Sequence, residues 1–170
     1  MEAITDQLTQ LKLVEPISTK KSRKDLTSYW GIEIDPRIFE HPQIQSHLNV
    51  TSELIKLERI HSTLLYVGKK DDNPYEIEYL PLEGKECTLT TNTFGSSTEA
   101  MALLVDQITY LNDQNEKLPV PTHVTPQHVT LALKKGVKPV DSVKCLTENL
   151  LERLEPESVV IHGKIKRFLY

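Results

Sequence analysis

From residue 28 onward, apolar and polar positions alternate in short runs bounded by turn residues, the signature of half-buried strands. Ser28–Ile34 predicts the first strand, with Trp30 as a core residue. Asp35-Pro36 then offers a capping carboxylate followed by proline at the first helical position, and Ile38 and Phe39 predict a short helix running toward Pro42. Leu54, Ile55 and Leu57 lead into a second strand that starts at His61 and ends at Gly68. Cys87–Phe94 is rich in β-branched residues, and Gly95-Ser96-Ser97 turns it into Ala100–Val105, predicting a hairpin; Met101, Leu104 and Val105 also suit one face of a helix over 98–112. Asn112–Pro126 predicts a long loop, polar and then proline-rich, of the kind that serves as a functional lid. A further strand starts at His128, and Lys138-Pro139 opens a predicted helix through Leu154 with Val143, Leu146, Leu150 and Leu151 as its buried stripe. Ser158–Leu169 predicts a closing strand. At the other end, Ile4, Leu8 and Leu11 sit at helical spacing until Glu15-Pro16, and Lys20–Lys24 reads as a solvated basic linker. The pattern divides the chain into an extension over 1–25 and one α+β domain over 26–170.

Composition narrows the classes. With 38% hydrophobic and 26% charged residues over 170 positions, the chain suits one ordinary core. No apolar run reaches the length of a membrane span, and the N-terminus lacks the basic and apolar regions of a secretory signal, so an intracellular setting without membrane contact is expected. Cys87 and Cys145, 58 positions apart with no C-x-x-C, read as reduced thiols and make no zinc site. A net charge of −4 argues against a protein that coats nucleic acid, yet permits one that grips an RNA end or a small nucleotide with a few local cations.

The chemistry sits in two short stretches, His61-Ser62-Thr63-Leu64 and His128-Val129-Thr130-Leu131, 67 positions apart. A strand sends every second side chain to one face, so each His and its Thr point the same way with Cα atoms about 6.6 Å apart. His-x-Ser/Thr is a cheap pattern: about one match is expected by chance in such a chain, and three occur, at His61, His123 and His128. His123 lies between Pro121 and Pro126 and reads as a loop residue outside the site. If the other two strands meet, two imidazoles supply a base and an acid, and the Thr63 and Thr130 hydroxyls donate to phosphoryl oxygens. Lys69 and Lys134, just past the two strands, are candidates to steady a neighbouring phosphate. Strict alternation turns Tyr66 away from His61. No carboxylate-rich cluster flanks either motif, so neither metal nor cofactor is expected. His41 and His47 read as exposed helix-end residues.

The two motifs, the strand Tyr29–Ile34, and the run Gln127–Leu133 followed by Gly136–Ser142 resemble the 2H phosphoesterase superfamily over residues 29–170. In that superfamily, two H-x-T/S motifs lie on central strands. The second run is most similar to the cyclic phosphodiesterase domain of fungal-type tRNA ligases. The separation of 67 is shorter than is usual there, which implies a trimmed connecting element. The resemblance implies a bilobal α+β fold, with two antiparallel sheets around a central cleft and helices outside. It implies a monomer that opens a 2′,3′-cyclic phosphate at an RNA 3′ end to a 2′-phosphate, with no covalent enzyme intermediate, and other RNA-repair domains as companions. Cleavage of linear 2′-5′ oligoadenylate, an AMP-binding module without turnover, and a plain interaction domain with coincidental histidines remain open alternatives.

Overall fold

The computed structural model describes residues 27–50, 53–68 and 73–169. The N-terminal helix, the basic run, the 25/26 boundary and Lys69 lie outside the described residues. Eleven strands are described: β1 (Thr27–Ile34), β2 (Leu54–Lys56), β3 (Ile60–Tyr66), β4 (Glu86–Thr91), β5 (Thr93–Ser96), β6 (Ala100–Leu104), β7 (Gln107–Leu111), β8 (Lys117–Pro119), β9 (His128–Lys134), β10 (Leu151–Arg153) and β11 (Val159–Leu169). They form two antiparallel sheets, a six-stranded one ordered β3-β1-β11-β4-β7-β8 and a five-stranded one ordered β10-β5-β6-β9-β2. The order β3-β1-β11-β4 in one sheet is matched by β9-β6-β5-β10 in the other, with β3 at the edge of its sheet and β9 flanked further by β2.

Period-two patterning produces a main core shared by both sheets, with a smaller cluster of Ala100, Ala102, Leu133 and Cys145 beside it. Trp30, Ile32 and Ile34 of β1, Leu89 of β4, and Ile161 and Ile165 of β11 face the same cluster as Phe94, Met101, Leu103, Val129 and Leu131 from the other sheet. Trp30 is fully buried, donates from Nε1 to Glu76 Oε1 at 3.0 Å and stacks on Tyr79. The alternate positions of β1 (Tyr29, Gly31 and Glu33) are left on the opposite face, which carries the site.

Helix is scarcer than the sequence pattern suggests. The one α-helix among the described residues is α1 (Pro42–Val50), anchored by Ile44 and preceded by a 3-10 turn over Pro36–Glu40 that Asp35 caps as expected. No described helix is long and apolar enough to cross a membrane. The predicted helix through Leu154 is instead a 3-10 segment, Pro139–Leu146, then a short turn and β10. Its buried residues are Ser142 and Cys145, three apart as a 3-10 period demands, rather than the expected leucine stripe. The segment presses on β5 so closely that a Cβ on Gly95 would overlap the Cys145 carbonyl. Residues 98–112 hold β6 and β7 rather than a helix, and β5 and β6 form the expected hairpin. The run Cys87–Phe94 is split, however: β4 belongs to one sheet and β5 to the other, with Asn92 at the crossing, where its carbonyl accepts from Leu154 N. The long loop is partly regular, since β8 pairs with β7.

Candidate active site

Each motif contains a β-bulge in the same place. On β3, Thr63 pairs with Gly31 and Leu65 with Trp30, so Leu64 has no partner on β1. On β9, Thr130 pairs with Ala102 and Ala132 with Met101, so Leu131 has no partner on β6. A bulged residue drops out of its own ladder, and its carbonyl becomes free for another acceptor role. Both carbonyls are used, and they are used reciprocally. Leu64 O accepts from His123 N at 2.8 Å, and Leu131 O accepts from Leu57 N at 2.9 Å. His123 precedes β9 and Leu57 precedes β3, so the chain leading to each motif is clasped by the bulge of the other. Ser62 Oγ, fully buried, reinforces the junction by donating to Gln127 Oε1 at 3.1 Å, while Gln127 Nε2 donates to Val124 O at 2.8 Å. The leucine that follows each His-x-Thr is therefore the residue that brings the two strands together.

Around His61, the absence of a side chain on Gly31 matters. A Cβ there would lie 2.9 Å from Ser62 O and against the rings of Phe168 and Tyr29. Those two rings stack at 4.5 Å and lean over Gly31 to meet the His61 imidazole, with centroids 5.1 Å (Tyr29) and 5.5 Å (Phe168) away. Burial under them holds His61's pKa below its ordinary value, and a positive charge on His128 lowers it further. The His61 imidazole thus lies within electrostatic reach of His128. Across β1 from His61 stands Glu33, which pairs with Lys166 at 3.0 Å. Thr63 is nearly buried, and its hydroxyl has no protein partner among the described residues.

His128 is anchored differently. Its Nδ1 lies 2.8 Å from Pro126 O; a carbonyl only accepts, so Nδ1 carries hydrogen and Nε2 is the nitrogen left for a substrate. Thr130 Oγ1 lies 2.6 Å from the buried hydroxyl of Ser142. With Ser142 donating, the Thr130 proton remains available to a phosphoryl oxygen. The 3-10 segment that replaces the expected helix therefore supplies a support for the second motif.

The sequence-predicted residues fare unequally. His61, Thr63, His128 and Thr130 are brought to the junction of the sheets. Lys134 is not: it lies at the far end of β9, roughly 20 Å along the strand from His128, where it pairs with Glu53 at 3.4 Å. The bulge at Leu131 also moves it off the His128 face. Tyr66 is the reverse case. The bulge at Leu64 shifts parity by one, so Tyr66 pairs with Tyr29 on the His61 face, and their rings lie 6.4 Å apart. His123 binds through its backbone, while its ring stacks on Tyr75 at 4.3 Å and meets Glu78 Oε2 at 3.1 Å. The expected lid is therefore a fastened strap, held also by Tyr79 Oη donating to Pro121 O at 2.7 Å. Sequence reasoning missed Phe168, Tyr29 and Ser142 as site neighbours; the glycine at 31, between alternating aromatic and acidic residues, is the one local signal pointing to a crowded face. Burial pushes the Cys87 thiol up to about 12 and that of Cys145 up to about 11, so neither is an active nucleophile. Among the described residues, no three His, Cys, Asp or Glu side chains gather as a metal-ligand set.

No protein-family model matches the chain, and no curated protein matches it by sequence. Solved structures do match by shape. One, titled a crystal structure of a fungal RNA kinase, superposes with a TM-score of 0.56 at 12% identity, over 89% of this chain and 48% of that one. The chain thus spans about half the length of that structure, and the likeness is one of fold: two antiparallel sheets with few helices and no closed barrel.

Proposed function

We propose that the protein is a metal-independent phosphodiesterase that opens 2′,3′-cyclic phosphates at RNA 3′ ends, acting as an intracellular monomer. The observation that carries this reading is the reciprocal clasp between Leu64 O and His123 N and between Leu131 O and Leu57 N. It sets two His-x-Thr pairs side by side, close enough for His128 to depress the basicity of His61. The fold likeness to a structure titled an RNA kinase is compatible with work on RNA.

The environments divide the roles. His61, kept neutral by burial, is the base: it takes a proton from water as the water oxygen attacks phosphorus. His128, whose Nδ1–H is fixed by Pro126 O, is the acid and works through Nε2. Its Nε2 proton goes to O3′ as the P–O3′ bond breaks, leaving a 2′-phosphate and a free 3′-hydroxyl. The Thr63 and Thr130 hydroxyls donate to the non-bridging oxygens through the pentacoordinate stage.

A short RNA ending in a 2′,3′-cyclic phosphate, incubated with the protein in EDTA, is expected to yield only the 2′-phosphate. A product that appears only with added divalent ion would overturn the mechanism, and no product would overturn the assignment. Cleavage of linear 2′-5′ oligoadenylate instead would keep the four residues and change the substrate. Binding of AMP without turnover would leave a nucleotide-holding module.

A further inference from the structure

Beside His61, beginning at its cross-strand neighbour Glu33, the six-stranded sheet carries an open groove of about 1060 Å³. Strand register defines its floor. From His61, the row of cross-strand neighbours runs through Glu33 on β1, Lys164 on β11 and Glu86 on β4. The next row holds Thr88 beside Thr109, their hydroxyls bonded at 3.0 Å, and β8 adds Lys117 opposite Leu111. At about 4.8 Å per strand, Lys164 stands roughly 10 Å from the His61 strand and Lys117 roughly 24 Å. Both lysines are exposed, and neither has an ion-pair partner among the described residues, whereas Lys166 is engaged by Glu33 and Lys85 by Asp113.

We propose that this groove is the track for the single-stranded body of an RNA whose 3′ end reaches the histidines, so that the substrate is an oligonucleotide rather than a free cyclic mononucleotide. The inference rests on the phosphodiesterase reading above. Three features favour RNA. The groove starts at Glu33, the cross-strand neighbour of His61. Its free cations lie at increasing distance from that site, as successive phosphates do. The threonine pair offers hydroxyl donors and acceptors for phosphate or 2′-hydroxyl groups. The carboxylate of Glu33 is neutralised by Lys166, and that of Glu86 lies beside Lys164 in the register, which keeps the track weak and salt-sensitive rather than a general polyanion surface.

The test uses the full chain, a fluorescein-labelled hexaribonucleotide bearing a terminal 2′-phosphate, and fluorescence anisotropy. Lys164→Glu and Lys117→Glu are each expected to weaken binding roughly tenfold and to make the log–log salt dependence shallower by about 0.7. Lys135→Glu, on the turn after β9, is expected to change neither. In parallel, the wild-type chain is expected to open a cyclic-phosphate hexamer with a higher kcat/KM than adenosine 2′,3′-cyclic phosphate. Hexamer binding that is absent, or unchanged in both groove variants, overturns the track whether or not the mononucleotide is hydrolysed. Weakened binding in a chain that opens neither cyclic phosphate sinks the phosphodiesterase reading and leaves the track standing.

Discussion

Replacing His61 or His128 with alanine is expected to lower turnover of a cyclic-phosphate RNA by roughly 10²–10⁴, the usual share of a general acid or base. The double variant should lose little more than the worse single one, because base and acid act in one concerted proton traffic and their contributions do not add. His123→Ala is the discriminating control. Among the described residues its imidazole meets the rings of Tyr75 and Tyr79 and the carboxylate of Glu78, and alanine keeps the backbone N–H that Leu64 O needs. Near wild-type rates are expected there, in steady-state assays at saturating RNA. A loss at His123 equal to that at His61 would mean that the catalytic pair has been drawn from the wrong histidines.

Proline at the same position reverses the expectation. His123→Pro removes the N–H and leaves Leu64 O without its donor, at a cost of about 1–3 kcal/mol for a polar group unpaired in the interior. The greater effect is on geometry, since Leu57 N to Leu131 O becomes the sole remaining arm of the clasp. Urea unfolding should show a lower midpoint for His123→Pro than for His123→Ala, and turnover should fall at least tenfold, because small misplacements of a catalytic group are costly (~10²-fold per Å). Leu57→Pro is expected to behave alike from the other arm. Equal stability and equal rates for His123→Pro and His123→Ala would show that the clasp does not hold the site together.

Much of this architecture was legible because it depends on alternation. The strands at 28–34, 61–67, 128–133 and 158–169 follow from period-two patterning, and the two His-x-Thr pairs stand out because each opens such a run. The leucine after each pair is visible in the sequence, but its role is not. A bulge is a relation between two strands, and nothing in Thr63-Leu64-Leu65 says that Gly31 and Trp30 will skip the middle residue. Tyr66 was misplaced for that reason, whereas Lys134 was misplaced because six residues of strand, besides the bulge on β9, separate it from His128. The segment after Pro139 carries apolar residues at helical spacing, yet tight packing against Gly95 selects the narrower 3-10 coil and buries Ser142 in place of leucines. The switch of sheets at Asn92 is equally silent in a run of threonines, all of which suit a strand in either sheet.

The central claim, that two distant motifs make one phosphoryl site, is tested most directly by NMR of the imidazoles as adenosine 2′-monophosphate is added. In the free protein, His61 is expected to titrate below the ordinary histidine value of about 6.5, because burial and the His128 charge both disfavour its protonated form. It therefore stays neutral, and competent as a base, until the pH falls below that value. On adding the nucleotide, the His61 and His128 resonances should shift together along one saturation curve, with His123 unmoved. Shifts at one histidine only, or two curves with different midpoints, would contradict a shared site.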